Sequence, residues 1–221
     1  RADGILIPVL RQALSVGSKH KMTPRYTYIS STDFVNDLTF DYVETYSFQR
    51  GQEFEENKKL IQVEYNTLKT RKEKFDNLST DEEERFSILN GLLGFTQYLI
   101  NDKGQFHPSS KKTNVFSNKD PNVDRIKNIL RTKINDIPRW LCAPVYRDAL
   151  VFYKSDKTIV STLNICLSCQ YMETKMFDHI NGDYETYDLF KRFFIDIGHE
   201  VEDPGHFVMD DINKLKSKYK K

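Results

Sequence analysis

Apolar residues recur along this chain at helical spacing in some stretches and at strand spacing in others, and the switches between them outline its elements. Over residues 1–16, Ile5, Leu6, Val9, Leu10 and Leu14 fall at helical intervals and the run stops near Gly17, which predicts a short amphipathic helix. From Tyr26 to Phe48 the period shortens. Leu38, Phe40 and Tyr42 alternate with polar residues and Tyr46 and Phe48 resume the alternation, as in one or two strands, although Val35, Leu38 and Tyr42 also fit a helix. Between Glu53 and Phe75, Ile61, Tyr65, Leu68 and Phe75 form one stripe in a dense mixture of Glu, Lys and Arg, the pattern of a long helix with a wet face. Ser79-Thr80-Asp81 ahead of Glu82 to Glu84 reads as an N-cap with carboxylates in the first turn, and Phe86, Leu89, Leu93 and Ile100 supply the buried stripe of a second helix. The two predict a helical hairpin.

Periodicity then lapses. Asn101 to Asn122 holds Asn-Asp-Lys-Gly, His-Pro-Ser-Ser and Asn-Lys-Asp-Pro, turn chemistry that suggests a domain boundary or an ordered surface loop. Val123, Ile126, Leu130 and Ile134 mark a further short helix, ended by Pro138. The apolar run through Phe152-Tyr153, the polar Lys154 to Lys157 and the run from Ile159 to Cys166 predict a β-hairpin. Asp183 is placed to cap a last helix bearing Tyr187, Phe190, Phe193, Phe194 and Ile197, with Gly198 where a C′ glycine belongs, and that aromatic surface suits the cover of a sheet. The fold class expected is α+β: residues 1–120 mainly helical, and residues 121–221 an antiparallel hairpin or sheet covered by an amphipathic helix.

The hairpin gathers all three cysteines, Cys142, Cys166 and Cys169. With Ser155-Asp156 as the turn, residue n of the first strand faces residue 311−n of the second, so Cys142 opposes Cys169. Opposed Cα atoms are about 4.5–5.5 Å apart, within disulfide reach. A bulge near Pro144 would bring Cys166 opposite Cys142 instead. Three chemistries fit: a Cys142–Cys169 disulfide closing a loop of roughly 28 residues and worth ~3 kcal/mol; a redox pair of Cys166 with Cys169; or a zinc site of Cys142, Cys166 and Cys169 completed by His179 or His199. Thiols serving as small buried apolar groups are the plain alternative. Arg147, beside Asp148, would lower a thiol pKa or form an ordinary edge-strand ion pair. Trp140 is expected partly buried near the sulfurs. The carboxylates and histidines from His199 to His206 could bind a metal but sit in a turn, where charge is normal.

Composition narrows the function. With 33 Lys and Arg against 32 Asp and Glu in 221 residues, the net charge of +1 argues against a nucleic-acid binder held by phosphate contacts. The local exception is the lysine-rich end from Lys214 to Lys221, which reads as a solvated tail. No run approaches the ~20 apolar residues of a membrane-spanning helix. The chain starts at Arg1, which leaves a processed leader open. There is no Gly-rich phosphate loop, Gly-x-Ser-x-Gly elbow or His-Glu-x-x-His, and only nine glycines, so nucleotide-dependent and hydrolytic chemistries lack their usual signatures.

Cys142, Pro144, Arg147, Phe152-Tyr153 and Ile165-Cys166-Leu167-Ser168-Cys169, with Leu189 to Phe194 and Gly198-His199 after them, resemble a group of uncharacterised bacterial proteins over about Trp140 to Val201. Leu167 stands where that group has Phe, and Asp148 where many members have His; if that His is a ligand, a metal site here is in doubt. Members are often exported, so the resemblance implies a disulfide rather than zinc and a periplasmic or envelope location. The expectation is a non-enzymatic accessory or interaction subunit of the bacterial cell envelope with a protein partner. The alternatives are a thiol-dependent enzyme or redox protein using Cys166 and Cys169, with Arg147 tuning the thiol, and a zinc-stabilised interaction module.

Overall fold

A computed structural model describes residues 26–48, 50–75, 78–94, 97–139, 142–175 and 177–219. The helix expected over residues 1–16 and the placement of Trp140 lie outside them. The described residues form an α+β structure in chain order β1 (Thr27–Ser30), α1 (Ser31–Asp37), β2 (Tyr42–Phe48), α2 (Gln52–Phe75), α3 (Thr80–Leu93), β3 (Ser110–Ser117), α4 (Pro121–Leu130), β4 (Asp148–Tyr153), β5 (Ile159–Cys166), β6 (Tyr171–Glu173), β7 (Asp178–Asn181), α5 (Tyr184–Asp196) and α6 (Val208–Lys218). The strands make one open mixed sheet, ordered β1-β7-β6-β5-β4-β2-β3, in which β1 runs parallel to β7 and the other pairs are antiparallel. Residues on both sides of position 120 therefore share a sheet.

Strand β4 is buried at every position, because both faces of the sheet are covered around it. Leu150 and Phe152 join Val43, Leu163 and Ile165 against α1, α4 and α5, where Phe34, Ile126, Phe190, Phe193 and Phe194 close the main core. Ala149, Val151 and Tyr153 point the other way, to Tyr46, Phe48 and Leu99. This two-sided burial explains why β4 reads as a continuous apolar run rather than an alternation.

Helices α1, α3, α4 and α5 start where a short polar N-cap side chain takes up a free amide. Ser79 caps α3 with Glu82 returning the bond, and Asp183 caps α5 with Thr186 in the same reciprocal role. Gly198 sits at φ +88°, and the bonds Gly198 N to Ile195 O (3.0 Å) and His199 N to Phe194 O (2.8 Å) complete a Schellman ending. Helices α2 and α3 pair as the expected hairpin through a Tyr65/Phe86 stack at 5.0 Å and ion pairs Arg85–Glu64, Lys72–Glu83 and Arg71–Glu82. Phe75, expected on the buried stripe, is 71% exposed, and Ile100 lies beyond α3 in a bridge to Phe106.

Other boundaries differ from expectation. The stretch from Asn101 to Asn122 contains β3, an edge strand whose Lys111 and Lys112 hide its period. The β4–β5 register pairs Asp148 with Ile165 and Phe152 with Ser161, two residues from the expected alignment. The cause is the turn: Lys157 takes φ +70°, Lys154 N bonds Thr158 O at 2.9 Å, and an irregularity follows at Tyr153, so the loop consumes more of the second strand than a two-residue turn would. From Asp148 to Phe152 the shift of two leaves the side chains on their expected faces; at Tyr153, paired with Ile159, it is one.

Candidate functional site

The cysteines meet at the open end of the β4–β5 hairpin. Cys142 and Cys169 form a disulfide with Cα atoms 6.5 Å apart. The pair was expected as opposed strand residues; instead Cys142 precedes β4, in the segment containing Pro144, and Cys169 sits in the turn after β5. Cys166 is a buried free thiol whose sulfur accepts the Cys169 amide at 3.4 Å and lies 3.5 Å from Ser168 Oγ. One cluster therefore holds all three sulfurs, but only two are bonded.

The disulfide also fastens a strap. After α4 the chain crosses toward Cys142, and the Asn135 and Asp136 amides both donate to Asp183 Oδ2, at 2.7 and 3.0 Å. Burial works against the Asp183 charge, but the amides of Glu185, Asp136 and Asn135 outweigh it and hold the carboxyl below its usual range. Ile137, Pro138 and Arg139 thus follow directly on a hydrogen-bonded anchor at Asp183.

Two cavities flank the corner. One of about 230 Å³ is lined by Arg50, Arg147, Ser168, Asp188 and Lys191, among others. The second, of about 500 Å³, lies under the strap against Tyr28, Tyr171, Met172, His179 and Tyr187. Gln170, next to Cys169, and Tyr187 line both.

The two histidines considered as zinc ligands have different fates. The Schellman turn carries His199 inward, where Nδ1 meets Asp148 Oδ1 at 2.7 Å and Nε2 meets Thr113 Oγ1 at 2.7 Å. Thr113 is the extra residue of a bulge, since Thr45 pairs with Asn114 and Tyr46 with Lys112. Arg50 closes the network with Nη2 to Asp148 Oδ1 at 2.6 Å, and both side chains are almost fully buried. Asp148 was expected in an edge-strand pair with Arg147; β4 is internal, and its carboxylate is held by Arg50 and His199 instead. With both nitrogens engaged, His199 is a clamp between α5, β3 and β4.

His179 stands in register with Glu173 on β6, which pairs in turn with Asn164 on β5. Glu173 Oε2 accepts from the hydroxyls of Tyr146 (2.6 Å) and Tyr98, and Oε1 approaches His179 Nδ1 to 2.9 Å. That approach is out of line with the ring N–H, so Nδ1 has no aligned hydrogen bond. The ring stacks against Tyr28 at 4.8 Å and Tyr26 at 5.5 Å and meets the edge of Tyr171 at 4.9 Å. Among the described residues, no group of three or more His, Cys, Asp or Glu side chains is arranged to hold a metal. The cluster from His199 to His206 divides: His199 turns into the core, while Glu202, Asp203 and His206 line the smaller cavity, where His206 Nε2 meets Asp211 at 2.8 Å.

Sequence reading missed the Arg50–Asp148 and Glu173–His179 pairs. Their only signal was a carboxylate interrupting an apolar strand, at Asp148 before Ala149 to Tyr153 and at Glu173 after Tyr171-Met172. No family model, curated protein or solved structure matches the chain.

Proposed function

We propose that this protein is a non-enzymatic accessory or interaction subunit of the bacterial cell envelope. The Cys142–Cys169 bond carries the reading, because disulfides persist in oxidising compartments and are rare where glutathione and thioredoxin keep thiols reduced. The α2–α3 hairpin adds to it. No helix among the described residues is long and apolar enough to cross a membrane, yet this charged hairpin displays Leu60 at 71% and Val63 at 65% exposure, apolar groups suited to a protein partner.

The test is thiol counting on protein acid-quenched in cells of its native host. Alkylation under denaturing conditions should label Cys166 alone, and all three cysteines only after reduction. Three labelled thiols without reduction would overturn the envelope assignment. A photo-crosslinker at position 60 or 63 should give a discrete adduct in the envelope fraction; no adduct from either position would remove the interaction reading.

A second reading, a thiol-dependent enzyme or redox protein, is favoured by the Cys166 sulfur, which accepts the Cys169 amide and so lies beside a disulfide it could attack. Labelling of the folded protein separates the two. A working thiolate reacts readily below pH 8, whereas a Cys166 that is only packing reacts on unfolding.

A further inference from the structure

The cavity beneath the strap is built in advance of any occupant. One side is the segment Ile137 to Arg139, held just before it by the Asn135 and Asp136 amides on Asp183, and another is strands β6 and β7. A volume of about 500 Å³ falls in the range of small-molecule sites, and a wall already held by Asp183 spares a ligand part of the cost of ordering it.

The lining specifies the chemistry. Tyr28, Tyr171 and Tyr187 offer aromatic surface, with Met172 and Ile180 supplying apolar contact. Asn181 and Gln170 add amide groups. Among the described residues, Arg139 is the one Lys, Arg, Asp or Glu that lines the cavity; its side chain is exposed, and no ion pair with another described residue engages it. The nearby carboxylates are already engaged: Glu173, behind His179, by the hydroxyls of Tyr98 and Tyr146, and Asp183 by the amides of Asn135 and Asp136. An aromatic, partly apolar cavity with a single unpaired guanidinium matches a ligand with a flat apolar body and one negative charge.

We infer that this cavity binds a small aromatic monocarboxylate, with the ring against the tyrosines and the carboxylate on Arg139. The site stands whether or not the chain has a protein partner, and its test uses the isolated full chain.

Titrations of 1-naphthoate, 1-naphthamide and 1-naphthylmethylammonium, followed by NMR of the His179 ring and by calorimetry, read the site directly. Naphthoate should bind saturably and move the His179 resonances. The neutral amide should bind about tenfold more weakly, because the charge-assisted guanidinium bond is lost, and the ammonium more weakly again. Arg139→Gln should lower naphthoate affinity to that of the amide without changing the melting temperature, and Tyr28→Ala, at a side chain 61% exposed, should weaken all binding. No saturable shift with naphthoate, equal affinity for the three probes, or wild-type affinity in either variant would each overturn the assignment.

Discussion

Asp148 joins groups that come from distant parts of the chain. Arg50 follows β2, Thr113 is a bulge in β3, and His199 is delivered by the end of α5, yet all converge on or beside one carboxylate. Among the described residues, Asp148 is the carboxylate in ion-pair contact with the buried Arg50 guanidinium, whose Nε has no hydrogen-bond partner. Removing that carboxylate leaves a buried guanidinium uncompensated. Asp148→Ala is therefore expected to lower stability by about 3–5 kcal/mol in urea denaturation. His199→Ala, which leaves the Arg50–Asp148 pair in place, should cost less, about 1–3 kcal/mol. Equal losses would show that the histidine, not the ion pair, dominates. The tyrosines carry a second residue-scale consequence. Burial pushes Tyr153 and Tyr171 from 10.0 up to about 12, and pushes Tyr46, Tyr98, Tyr146 and Tyr187 up as well. The unfolded chain then releases these protons first, so stability is complete below pH ~10 and falls as pH rises from there. Urea midpoints should be level from pH 8 to 9.5 and drop between pH 10 and 11; a level profile through pH 11 would contradict the burial of these hydroxyls.

Helix ends carry their instructions locally, which is why Ser79, Asp183 and Gly198 could be placed from sequence: each acts on amides or carbonyls within a few residues. Gly198 does more than stop α5, since the residue after it must enter the core. Gly198→Ala puts a Cβ on left-handed backbone and should cost about 1–2 kcal/mol in chemical denaturation, with Asn tolerated better than Ala. Gly205→Ala, where φ is not positive and no atom would meet the new Cβ, should be close to neutral. Strand limits were less legible. The hairpin register depended on the left-handed Lys157, an adjustment residue types do not announce, and β3 was hidden because an edge strand dressed with lysines has little apolar period to show.

Across the whole molecule, the disulfide joins positions 27 residues apart and holds both the hairpin end and the strap. Reduction, or Cys142→Ser, should remove about 3–4 kcal/mol and lower the melting temperature by on the order of 10 °C. An unchanged midpoint under reducing conditions would mean that the bond contributes little to the folded state. The loss should be similar in Cys169→Ser and absent after reduction of either variant, because only one bond is broken.

By itself the sequence determined the α+β class, the helical hairpin, the capped aromatic helix and the gathering of three cysteines, because periodicity, caps and turns act over a few residues. Only the tertiary structure decided the rest. It inserted β2 between β3 and β4, so that residues 26–117 complete the sheet instead of standing beside it. It brought Cys142 to Cys169 through a bent segment and a turn rather than through a strand register. It also separated the two histidines, sending His199 into a saturated clamp and leaving His179 on a cavity. Those outcomes depend on which distant side chains arrive at the same place, and burial and charge pairing are settled only when the whole sheet is assembled.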